Sequence, residues 1–146
     1  MRKLRNTGIA IDVSAHLPAL VKELRRDPTV VAVFLYGSYG TPYQTPLSDV
    51  DLAILFRPDQ VPDFRRHIDW IAQVTGALHE DDVSVLVLNT APLSLQFVVV
   101  SKGRRLLVND EIALADFLEM LFDRYGDFAV DEAKFFAEYD QARREE

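Results

Sequence analysis

Val30-Val31-Ala32-Val33-Phe34-Leu35-Tyr36-Gly37-Ser38, then ten residues, then Asp49-Val50-Asp51-Leu52-Ala53-Ile54-Leu55-Phe56 is the stretch around which the chain is organised. Val30–Tyr36 is a continuous apolar run of strand length, mostly β-branched or aromatic. Such a run reads as a strand buried on both faces. It stops at Gly37-Ser38, and Gly40, Pro42 and Pro46 keep the following stretch out of regular structure. Asp49–Phe56 resumes as a second buried strand.

Asp49 and Asp51 open that second strand. Side chains at i and i+2 of a strand share a face, so the two carboxylates project together with Cα atoms roughly 6.6 Å apart. Two converging carboxylates suit a hard cation, and magnesium binds through one or two carboxylates plus substrate phosphates. Gly37 lets a phosphate approach the backbone, and Ser38 adds a hydroxyl and an N–H as donors. A metal pair beside a phosphate cradle is the apparatus of phosphoryl or nucleotidyl transfer.

Gly37-Ser38, ten residues and Asp49-Val50-Asp51 resemble the G-S-x10-D-x-D signature of the minimal nucleotidyltransferases (MNT) of the DNA polymerase beta superfamily. The resemblance runs from the helix before the first strand to the C-terminal helices. It implies a nucleotidyltransferase fold, ATP as substrate and a divalent metal, Mg2+ or Mn2+. It further implies an antitoxin paired with a HEPN-domain ribonuclease toxin, silenced by transfer of AMP to a tyrosine. On this resemblance Asp49 and Asp51 are catalytic metal ligands, and Gly37 and Ser38 bind the nucleotide phosphates. Relatives often carry an arginine in the loop, whereas none lies between Ser38 and Asp49. Relatives also often place an aspartate five residues before the asparagine of a Leu-Asn-x-Ala-Pro turn. Leu88-Asn89-Thr90-Ala91-Pro92 supplies that turn, and the matching position is Ser84. Asp82 lies two residues earlier on the same strand face, and either supplies the third carboxylate or is a solvated strand-edge residue.

The bulk properties narrow the class. The chain has 146 residues, 49% hydrophobic and 27% charged, which fits one domain with a real core. It has no cysteine, which excludes disulfides and thiolate metal sites and fits a reducing cytoplasm. A net charge of −7 argues against general nucleic-acid binding, which needs a basic surface. No apolar run approaches the roughly 20 residues of a membrane span.

Residues 1–12, with Arg2, Lys3 and Arg5, look like a flexible arm. Val13, Leu17, Leu20, Val21 and Leu24 recur at helical spacing, with Pro18 in the first turn and Asp27-Pro28 as the stop. A second helix starts near Val61-Pro62, buries Val61, Phe64, Ile68, Ile71 and Val74 or Leu78, and ends near Gly76. Asp82–Leu88 is a third strand. Thr90 can cap a following helix. Residues 93–102 have strand propensity at Phe97–Val100 but helix punctuation at Pro92 and Gly103, and the family favours a helix. Arg104–Val108 is a short edge strand whose two arginines are solvated by default, with a phosphate as the alternative. Asn109 caps a C-terminal helical extension, residues 109–146, whose aromatic band from Phe117 to Tyr139 is either core or a protein-binding face.

The expected fold is therefore α/β of the α+β kind: one nucleotidyltransferase domain with a mixed sheet of three to five strands, helices on one side and the C-terminal extension. Two rival functions stand beside AMP transfer to a toxin. One is an antitoxin that acts by binding alone. The other is a small-molecule nucleotidyltransferase, which the shortness of the chain leaves little room for.

Overall fold

The two apolar runs are neighbouring inner strands of a four-stranded sheet with order β3-β2-β1-β4. The structure is a computed structural model that describes residues 10–47 and 49–126. Its elements run α1 (Leu17–Arg25), β1 (Val30–Tyr36), β2 (Val50–Phe56), α2 (Phe64–Leu78), β3 (Val83–Val87), a 3-10 turn at Leu88–Thr90, α3 (Leu93–Lys102), β4 (Arg104–Val108) and α4 (Glu111–Tyr125). β1 pairs antiparallel with both β2 and β4, while β2 and β3 are parallel across the α2 crossover. Residues 93–102 are helical, and Arg104–Val108 is an edge strand as expected.

Helices cover both faces of the sheet, not one. On one face Leu20 and Leu24 of α1 and Trp70, Val74 and Leu78 of α2 pack on Val33, Leu35, Leu52 and Ile54. On the other, Val99 of α3 and Leu114, Phe117 and Leu121 of α4 pack on Phe34, Ala53 and Leu55. This double cover is why β1 and β2 are apolar at consecutive positions. A bulge between Val30 and Ala32 sets two β1 residues against one of β2. It puts Val31 and Ala32 together in the α3–α4 core and resets the alternation before the strand reaches the loop.

Several local expectations are corrected. Phe64 and Ile68 of α2 are 80% and 50% exposed, and the buried stripe is Trp70, Val74 and Leu78. Asp63 caps that helix by accepting from the Arg66 N–H at 2.9 Å. The helix passes through Gly76 and ends at His79, which adopts the left-handed conformation at φ 54°. At α4 the cap is Asp110, whose carboxylate accepts from the Ala113 N–H at 3.0 Å. Asn109 instead donates to the carbonyls of Leu24 and Val30, tying α1 to the sheet. Thr90 caps nothing at α3, where no side-chain cap forms. Its neighbour Asn89 brackets Phe56, accepting from its N–H and donating to its carbonyl. Ile11 is buried in the α1–α2 core, so residue 11 is not part of a flexible arm. Arg2, Lys3, Arg5, Phe128, Phe135, Phe136 and Tyr139 lie outside the described residues. No helix among the described residues is long and apolar enough to cross a membrane.

Candidate active site

The site forms at one end of the sheet, where β1 finishes and β2 starts. Tyr36 is the last residue of β1 and pairs with Asp51, so Gly37 and Ser38 emerge beside the second aspartate. Gly37 has φ +77°, and a Cβ there would strike Asp51 Oδ2. The position needs glycine for both reasons: the left-handed backbone and the close approach of the carboxylate. Ser38 is buried, and its carbonyl accepts from the N–H and hydroxyl of Thr41, turning the chain sharply.

The loop is tied down by its own polar side chains. Gln44 accepts from the Gly40 N–H at 2.8 Å and donates to the Ile11 carbonyl at 2.8 Å. Tyr39 is 8% exposed, and its hydroxyl accepts from the Val13 N–H at 3.1 Å. Tyr39 and Gln44 therefore anchor the segment before α1 to the loop. The segment and the loop are held as one unit beside the Gly37-Ser38 turn.

Asp51 lies on β2 and is half-buried, as is Asp49, which immediately precedes the strand. Across the parallel ladder Asp51 pairs with Ser84 of β3, and the Ser84 hydroxyl donates to Asp51 Oδ1 at 2.6 Å. The residue in the expected acidic place thus touches Asp51 through a hydrogen bond. Asp82 sits one step back along the same strand face; its carbonyl accepts from the Val50 N–H at 3.0 Å. It is 6% exposed, so it is not a solvated strand-edge residue. Nor is it gathered into a triad: among the described residues no three histidine, aspartate or glutamate side chains are placed to hold one metal ion. The structure brings Gly37 and Ser84 against Asp51, with Ser38 next to Gly37 and Asp49 two residues before Asp51.

Two carboxylates beside a backbone turn that only glycine fits match the donor set of a hard cation completed by phosphate oxygens. β4 adds a group that the linear motif does not contain. Arg104 pairs with Leu35 near the end of β1, and its guanidinium lies against Gly40 of the loop. His67, for which the sequence offers no partner, approaches the Val85 carbonyl at 2.6 Å through Nε2, which joins α2 to β3 away from the loop.

The model of the family described as Polymerase beta, Nucleotidyltransferase matches residues 19–112, which run from within α1 through β4. The chain belongs to this nucleotidyltransferase family. The nucleotidyltransferase is also similar in fold to one chain of the complex between tri-AMPylated Shewanella oneidensis HEPN toxin and MNT antitoxin: 21% identity, TM-score 0.62, over 88% of this chain and 98% of that one. A chain of a toxin–antitoxin crystal structure with AMP-PNP matches at 20% identity and TM-score 0.63, over 88% of this chain and 98% of that one. A chain of a mutant toxin–antitoxin complex matches at 23% identity and TM-score 0.61, over 84% and 95% of the two chains. No curated protein matches the nucleotidyltransferase.

Proposed function

We propose that this protein is an antitoxin that transfers AMP from ATP to a tyrosine hydroxyl of a HEPN-type ribonuclease toxin. The observation that carries the reading is the junction of Gly37-Ser38 with Asp51 at the mouth of the β1–β2 pair, in a fold shared along 98% of one chain of a HEPN toxin–MNT antitoxin complex. Gly37 and Ser38 hold the terminal phosphates and so set the line of attack on the α-phosphorus. Asp49 and Asp51 hold a divalent cation, magnesium or manganese. When bound, that cation supplies neutralisation of charge on the α-phosphate and orientation of the attacking oxygen. The tyrosine oxygen forms a bond to the α-phosphorus, the bond from that phosphorus to the β-phosphate oxygen breaks, and pyrophosphate and one proton are released.

Ser84 supports a second reading. Its hydroxyl donates to Asp51 and cannot act as a carboxylate base, which favours an antitoxin working mainly by holding its partner. One experiment separates the two. The chain is incubated with α-labelled ATP, magnesium and the co-expressed toxin, and both label transfer and toxin neutralisation are measured. AMP transfer predicts label on the toxin, lost in Asp51→Asn by several kcal/mol of transition-state stabilisation at ~1.4 kcal/mol per tenfold in rate. Neutralisation without label, equal in wild type and Asp51→Asn, overturns transfer in favour of binding alone. Label on an added small hydroxyl compound instead of the toxin would return the small-molecule reading.

A further inference from the structure

The loop between the two strands has no lysine, arginine or histidine from Ser38 to Asp49. A nucleoside triphosphate is multiply anionic, and the site offers it two aspartates. A cationic side chain beside its terminal phosphates would offset this charge in addition to the cation at the carboxylates.

β4 brings such a side chain to the loop. Arg104 begins that strand, paired with Leu35. Its guanidinium occupies the space that a side chain at Gly40 would take: a Cβ there would stand 2.7 Å from Nη2 and 3.8 Å from Nη1. Gly40 has φ +73°, a conformation that L side chains rarely adopt, so the loop presents bare backbone to the arginine. Arg104 is exposed. Among the described residues no carboxylate pairs with it, whereas Arg57 is held by Asp110 at 2.9 Å. The turn from Gly37 to Gly40 is thus flanked by Asp51 on the β2 side and by Arg104 on the β4 side. A planar guanidinium offers a fork of donors that matches phosphate oxygens.

We propose that Arg104 binds the terminal phosphates of the nucleoside triphosphate, supplying from β4 the guanidinium that the loop lacks. The assignment rests on the nucleotidyl-transfer reading above. Arg105, next along the strand, alternates to the other face and serves as the control.

The test is calorimetric titration of the full chain with ATP and with AMP in the presence of magnesium, for wild type, Arg104→Gln, Arg104→Lys and Arg105→Gln. Arg104→Gln should weaken ATP about tenfold, the worth of one charge-assisted contact, while AMP shifts less than about twofold. Arg104→Lys should recover part of the loss, Arg105→Gln should bind as wild type, and all four proteins should melt together. Unchanged ATP affinity in Arg104→Gln, with wild type binding ATP, overturns the Arg104 assignment and leaves the transfer reading standing. Equal loss of ATP and AMP also overturns it, because the residue would then act on the loop and not on the phosphates. A wild type that binds no triphosphate overturns the transfer reading, and this assignment with it.

Discussion

Asp51 meets three neighbours that determine what its carboxylate can do. Gly37 leaves room for one oxygen, Ser84 donates to the other, and Tyr36 fixes the register from β1. Ser84 holds the place where a carboxylate would bring charge to the site, and Asp82 is buried one step away without joining a metal-binding triad. Replacement of Ser84 by Asp should therefore raise AMP transfer, by ~100-fold if the new carboxylate serves as a general base. Asp82→Ala should leave transfer within about twofold of wild type if Asp82 is only a buried polar residue. A steep fall in Asp82→Ala, with no gain in Ser84→Asp, would show that Asp82 supplies the third acid after all. Labelled-AMP transfer rates, with circular dichroism to check folding, decide between them.

At the scale of single elements, α4 shows how one residue serves two purposes. Asp110 caps the helix through the Ala113 N–H and binds Arg57, whose Nε–H also donates to the Pro28 carbonyl. The N–H of Ala113 first, and the Arg57 guanidinium next, hold the Asp110 carboxyl below its ordinary value. A depressed carboxyl contributes stability that is fully present above its unfolded-state pKa and is lost as the pH falls through the folded one. The stability gap between wild type and Asp110→Ala should thus be widest near neutral pH and shrink in the acid range below the ordinary carboxylate value. Urea unfolding at a series of pH values reads it, and a gap that widens on acidification would contradict the assignment. The opposite helix, α2, shows the limit of pattern reading. Trp70 packs edge-on against Phe56 with ring centroids 5.4 Å apart, whereas Phe64 and Ile68 are exposed.

For the molecule as a whole, the aromatic band expected from Phe117 onward divides. Phe117, Leu121 and Tyr125 are buried, with Tyr125 stacked on Phe97 at 3.6 Å, whereas Ile112, Met120 and Phe122 are exposed. Phe117 and Leu121 belong to the sheet's second core. Ile112, Met120 and Phe122 leave apolar surface on α4 open to a partner, as Phe64 and Ile68 do on α2. Met120→Ser with Phe122→Ser should therefore weaken a co-purified toxin complex while shifting the melting temperature by only a few degrees. Pull-down and thermal unfolding of the double variant test this together. A complex that survives with a destabilised monomer would place these side chains in the core instead.

The sequence by itself determined the two inner strands, the turn at Gly37-Ser38, the carboxylates that follow it and the helical elements around them. Those features are written in short-range patterns: continuous apolar runs, an i, i+2 pair, and glycines where no side chain fits. The N-caps of α2 and α4 were legible only to within a residue or two, because Asp63 and Asp110 compete with neighbouring prolines and asparagines as plausible starts. Tertiary structure alone decided which face each helix covers, since a strand apolar on both sides does not say what lies on either. It also decided the register that sets Ser84 against Asp51 and the approach of Arg104 to Gly40. Those pairs are far apart in the chain, and strand order and register fix which side chains meet across a sheet.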